Sequence, residues 1–124
     1  SEKEVSRSKE FTLEEDYLKL SESYILSSDP SCKREASRIV GNLAAAFPEN
    51  LDHAITALMQ NANHYGTVIR WASAYALSRI VISPQYARGP LFEQISNLYE
   101  KEEETGVKNQ YSKALKKAQK IRSA

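Results

Sequence analysis

Residues 67–82, TVIRWASAYALSRIVI, constrain the fold more than any other stretch of the chain. They hold the single Trp and only two charged side chains, Arg70 and Arg79. Apolar or small residues fall on most sides of any helix drawn through them. A helix that is apolar nearly all round is covered by neighbours on several sides, so the rest of the chain has to supply that cover. At 124 residues the chain has the length of one domain with its own core. Four Gly and four Pro are too few for the many tight turns of a barrel or sandwich. No stretch alternates apolar and polar residues long enough to mark a strand.

Read in order, the chain divides into six helices of about 14 to 17 residues by their period. Residues 1–11 are polar and are expected to be disordered, and a single domain is expected over 12–122. Thr12 and Glu15 have the spacing of a capping box. Leu13, Tyr17, Leu20 and Tyr24, widened by Leu18 and Ile25, form the apolar stripe of a first helix that stops near Ser27. Glu14, Glu15, Lys19 and Glu22 are expected to face water. Asp29 and Pro30 supply an N-cap and a first helical residue. The second helix they open buries Cys32, Ala36, Ile39, Val40, Leu43 and Phe47. Asn50 is expected to cap a third helix with Leu51, Ala54, Ile55, Leu58, Met59 and Ala62 inside. Gly66 is expected to terminate it in the left-handed conformation, and Thr67 to cap the fourth. After the longest connection, 83–90, a fifth helix carries Leu91, Phe92, Ile95, Leu98 and Tyr99. It is expected to run through Glu104 and stop at Thr105 and Gly106. The last helix buries Val107, Tyr111, Ala114, Leu115, Ala118 and Ile121.

The second, fourth and sixth helices overlay without a gap. Cys32, Ile69 and Val107, each followed by a basic residue, open them 37 and 38 residues apart. Ile39-Val40, Ala76-Leu77 and Ala114-Leu115 come seven residues later in all three. A unit recurring at this period is a helix pair that cannot bury its apolar stripe alone, so neighbouring pairs stack and share a core. The predicted pairs are approximately residues 12–46, 49–82 and 90–122.

Two segments, 68–80 (VIRWASAYALSRI) and 29–33 (DPSCK), resemble the HEAT-repeat family and its PBS-lyase-type relatives. The resemblance spans residues 12 to about 122. It implies an all-α fold, a right-handed α-α superhelix in which three helical hairpins form a short ARM/HEAT-like solenoid. It also implies that the second helices line an inner surface where partners bind. The family has an Asp in the turn before the apolar-basic pair; here repeat one has Asp29, repeat two Asn63 and repeat three Glu104-Thr105-Gly106. With the apolar stripes turned inward, the opposite ridge carries Arg34, Trp71 and Asn109, then Arg38, Tyr75 and Lys113, then Asn42, Arg79 and Lys117. The seven cationic and aromatic residues among them are the candidate partner-binding set. Guanidinium and ammonium groups beside aromatic rings suit carboxylate- or phosphate-bearing partners. The competing reading packs Trp71 and Tyr75 against neighbouring helices. Lys33, Arg70 and Lys108 read as structural bridges to the adjoining turns, and Cys32 reads as core.

The net charge of +1 steers no partner choice, although its distribution is uneven. Residues 1–30 carry four basic and eight acidic groups, whereas 107–124 carry six basic and none acidic. The leading expectation is a non-enzymatic scaffold for a protein partner with an acidic surface. Nucleic acid, held by the basic ridge and the last helix, is the alternative, as is a role as accessory subunit of a lyase-type or other enzyme complex. His53 and His64 stand alone, without ligands at metal spacing. No phosphate-binding loop, nucleophile elbow or carboxylate pair occurs in the sequence. No catalytic residue, metal or cofactor is therefore expected. One Cys allows no internal disulfide, and no apolar run reaches the roughly 18 residues of a membrane span. A cytoplasmic monomer is the resulting expectation, and both ends are read as finished, polar faces. A head-to-tail contact between the acidic first helix and the basic last one is a minor alternative.

Overall fold

The computed structural model describes residues 13–124, and all of them are helix, turn or loop, with no strand. The expected disorder of 1–11 and the Thr12 half of the capping box lie outside the described residues. Seven helices are present among those described. They are α1 (13–22), α2 (Pro30–Ala44), α3 (Asp52–Asn61), α4 (Thr67–Val81), α5 (Pro84–Ala87), α6 (Leu91–Lys101) and α7 (Thr105–Ser123). The single turn α5 occupies what the sequence suggested was an open connection: Ser83 in extended conformation followed by Pro84 starts it. No helix among the described residues is long and apolar enough to cross a membrane.

The centre is α4. Ile69, Ala74, Ala76, Leu77, Ile80 and Val81 are among its nine buried residues. It is covered by α2 on one side and α7 on the other, with α3 also packed against it. The three second helices thus lie in the order α2, α4, α7. Helices α2 and α4 run parallel and close: a Cβ placed on Gly41 would stand 3.0 Å from the Cα of Ala76. Only Gly permits backbones to approach this far without displacement. Full burial of each Leu, Ile or Val in this layer stabilises by roughly 1.5–3 kcal/mol relative to exposure.

Several ends differ from expectation. The α2 start is as read: Asp29 Oδ1 accepts from the Ser31 N–H at 3.0 Å, with Pro30 at the first position. Asn50, however, caps nothing. It adopts φ 63°, a left-handed geometry that Asn tolerates through its short polar side chain. Leu51 holds the N-cap position of α3 without a side-chain bond. Gly66 is extended, φ −84°, and is itself the N-cap residue of α4, while Thr67 is its first residue. The turn before it is closed instead by His64, whose Nδ1 accepts from Gly66 N–H at 2.9 Å. Thr105 and Gly106 do not stop α6; they begin α7. The break falls at Glu102, which is extended and accepts the Glu104 N–H on its Oε1 at 3.0 Å.

The largest departure is the rotation of α1. Leu18, Ser21 and Ile25 are buried, while the expected stripe Leu13, Tyr17, Leu20 and Tyr24 is exposed. A tightened turn accompanies it: backbone bonds of the i→i−3 type at Ser23, Tyr24 and Ile25 close the chain after residue 22. The Ile25 carbonyl then accepts from Asn61 Nδ2 at 2.7 Å, tying this turn to the end of α3. Glu14, Glu15 and Lys19 face water as expected, but the first hairpin exposes these apolar side chains beside them.

The same rotation brings Glu22 half inside rather than into water. Burial raises its carboxyl above the ordinary range, against the lowering effect of Lys19 and His53, and its buried Oε1 has no hydrogen-bond partner. A carboxyl that binds its proton more tightly folded than unfolded loses stability as pH rises through its titration. Glu22→Gln is expected to raise Tm at about pH 7 and to leave it unchanged at about pH 3, where the wild-type carboxyl is protonated. Thermal melts of both proteins at the two pH values check this; an equal shift at both would contradict it.

Candidate functional site

The groove between α2 and α4 is where the candidate residues meet. It has a volume of about 450 Å³ and is lined by Arg34, Glu35 and Arg38 from α2 and by Thr67, Val68, Trp71, Ala72 and Tyr75 from α4. The close contact at Gly41 shuts one end.

Its walls are chiefly apolar. Trp71 is 45% exposed, and Tyr75 is half-buried beneath it. Their rings are one helical turn apart, with centroids 5.9 Å apart and planes 7° from parallel. Tyr75 is fixed at its far end, where its hydroxyl donates to Asn42 Oδ1. Arg79 places its guanidinium carbon 5.5 Å from the Tyr75 ring centre and donates from Nε to the Gly41 carbonyl at 3.1 Å. The aromatic pair is thereby held in one orientation before any ligand arrives.

Charge along the α2 rim is uneven. Arg38 forks onto Glu35, donating from Nε at 3.2 Å and Nη2 at 2.7 Å to the same carboxylate oxygen. That bond, and then the Arg38 charge, hold the Glu35 carboxyl below the usual range, and the pair correspondingly raises Arg38. Arg34 is exposed beside them. The expected set therefore divides: Arg34, Arg38, Trp71 and Tyr75 line one groove, and Arg79 braces it. Lys113 and Lys117 are exposed on α7 and do not line the groove. Sequence reasoning missed Glu35 and Val68, whereas Asn42 stood in the ridge column with Arg79 and meets Tyr75 there. For Glu35 a signal was present, since it stands three residues before Arg38 on one helix face.

The second basic column is structural, as its position beside the turns suggested. Lys33 Nζ donates to Asn61 Oδ1 at 3.3 Å, and Lys108 Nζ to the Tyr99 carbonyl at 2.8 Å while lying 4.3 Å from that ring's centre. Arg70 does most. It donates to the His64 and Tyr65 carbonyls, each at 3.0 Å, and forms an ion pair with Glu102 at 3.1 Å. Glu102, expected inside the fifth helix, follows its last residue and has a side chain only 6% exposed. Cys32 is half-buried at the start of α2 rather than fully in the core. His53 lies exposed on α3 and His64 in the turn before α4. Among the described residues no three His, Cys, Asp or Glu side chains come together as a metal site.

The chain matches no family model, no curated protein and no solved structure.

Proposed function

We propose that the chain is a short HEAT-like scaffold, its three hairpins stacked as a right-handed α-α superhelix, that binds a protein segment along the ridge of its second helices without itself catalysing a reaction. The order α2, α4, α7 and the recurrence at 37 and 38 residues support the architecture. The observation that carries the binding reading is the Trp71–Tyr75 pair, braced by Asn42 and Arg79 yet open to solvent over Trp71. Rigid, half-exposed aromatics beside Arg have the composition of an interface anchor. The partner it suits places an apolar side chain against Trp71 and a carboxylate against Arg34. Lys113 and Lys117 extend the positive surface toward α7.

A nucleic-acid partner is less well supported, because Arg38 is committed to Glu35 and Arg79 to the Gly41 carbonyl. If all five ridge cations met phosphates, binding to an oligonucleotide would fall with salt at a log–log slope of about −4 to −5.

Because Trp71 is the only Trp, its fluorescence reports on the groove directly. Peptides selected by display on the wild-type chain are expected to be enriched in acidic residues flanking an apolar one, and to shift the Trp71 emission on titration. Trp71→Ala should weaken them by about 30-fold or more, as an anchor residue does, and Arg34→Glu should weaken the acidic ones selectively. Selected peptides that bind Trp71→Ala as tightly as wild type would remove the groove from consideration.

A further inference from the structure

The first hairpin leaves five large apolar side chains in the open: Leu13 is 68% exposed, Tyr17 52%, Leu20 55%, Tyr24 50% and Leu26 47%. The first four recur at spacings that keep them on one side of the segment. Tyr17, Leu20 and Tyr24 border Glu35, Ala36 and Ile39 of α2 around a second hollow of about 190 Å³. The aromatic groove described above lies on the adjoining flank of α2, and the two share only Glu35.

The geometry points to this face as the seat of a second copy of the chain, pairing α1 and the near flank of α2 with their equivalents about a two-fold axis. The four aligned side chains leave roughly 450 Å² of apolar surface bare, within what the largest patch on a monomer carries. Doubled by self-pairing, with the Asp16–Lys19 and Glu35–Arg38 rims added, the contact reaches about 1,000 Å², where specific interfaces begin. Charge argues for a copy over a partner of one sign. The far rim carries Asp16 and Lys19, both exposed, and the near rim carries the Glu35–Arg38 pair. In an isologous contact each rim can meet its own image reversed, acid opposite base, whereas a uniformly acidic or basic partner would be attracted to one member of each rim and repelled by the other. Residues 1–12 contain only two large apolar residues, Val5 and Phe11, too few to cover five. The expectation from the sequence is a monomer with polar end faces; it does not include the exposed apolar side chains of α1.

Sedimentation equilibrium of the full chain between about 1 µM and 1 mM, the range of a modest interface, is expected to show a monomer–dimer equilibrium with nothing larger. A combined Leu20→Asp and Tyr24→Asp variant should dissociate at least tenfold more readily. Both positions are at the surface, so its helical circular dichroism should match wild type. Asp16→Lys should also weaken the dimer, and adding Lys19→Asp should restore it. Trp71→Ala, on the other groove, should dimerise like wild type, so loss of peptide binding and loss of dimer remain separable. A chain monomeric throughout the range overturns the inference. So does an undiminished dimer in the Leu20→Asp, Tyr24→Asp variant, or a mass that keeps growing with concentration, which would indicate open head-to-tail contact instead.

Discussion

Glu102→Ala is expected to lower the unfolding free energy by about 3–5 kcal/mol, the cost of leaving one member of a buried ion pair without its partner. The Arg70 side chain is 20% exposed and that of Glu102 only 6%, so water replaces little of what is lost. Two carbonyls, of His64 and Tyr65, remain to Arg70 after the substitution, which places the effect toward the lower end of that range. The carboxylate also shapes the turn, because its Oε1 accepts the Glu104 N–H and so ends α6 and aims the chain into α7. Glu102→Gln retains the shape and an acceptor for that N–H and should recover part of the loss. Urea denaturation of the three proteins checks the order. An Ala variant within about 0.5 kcal/mol of wild type, the level of an ordinary surface change, would show that the pair is not a joint between the second and third hairpins.

Arg70 and Glu102 also show where the sequence was legible and where it was not. The basic position at the start of each second helix was readable as a bridge, because it recurs at the repeat period next to a turn. Its partner was not. The acid was sought in the turn ahead of each helix, whereas Arg70 reaches the turn of the following hairpin and Lys33 reaches Asn61. A run of five charged residues, Glu100 to Glu104, has the composition of a solvated helix end, and nothing in its local pattern marks Glu102 as the one that turns inward. Asn61 was equally silent. Its amide holds the Ile25 carbonyl across 36 positions, and that single long-range bond helps decide which face of α1 is wet. Periodicity gave α1 one broad apolar stripe, Leu13, Tyr17, Leu20 and Tyr24 widened by Leu18 and Ile25. Only its edge, Leu18 and Ile25, is buried, and the rest is exposed.

The candidate groove was half legible for a related reason. Its α4 wall follows from helical spacing alone, since Trp71 and Tyr75 are one turn apart and both oppose the buried stripe. Its end is set by Gly41, whose contact with Ala76 brings α2 close enough for Tyr75 to reach Asn42 and Arg79 to reach the Gly41 carbonyl. Such contacts depend on the crossing of two helices, which a one-dimensional pattern does not contain. The columns drawn from the repeat also spread the site over three helices, out to Lys113 and Lys117, whereas the groove is formed by two.

Leu77→Ala provides the sharpest test of whether α4 is the element on which the rest depends. Leu77 is fully buried, on a helix packed against α2, α3 and α7 together, so no single neighbour can move to fill the space without leaving another contact. A Leu→Ala change costs about 2–5 kcal/mol, more where the site cannot collapse, and the upper half of that range is expected here. Leu20→Ala, the same chemical change at a position 55% exposed, should cost less than about 1 kcal/mol in the monomer. Because α4 carries one wall of the groove, Leu77→Ala should also blue- or red-shift the native Trp71 emission at temperatures below its transition, whereas Leu20→Ala should leave it in place. Equal destabilisation by the two substitutions, measured at a concentration where both are monomeric, would mean that α4 is not the centre on which the other helices depend.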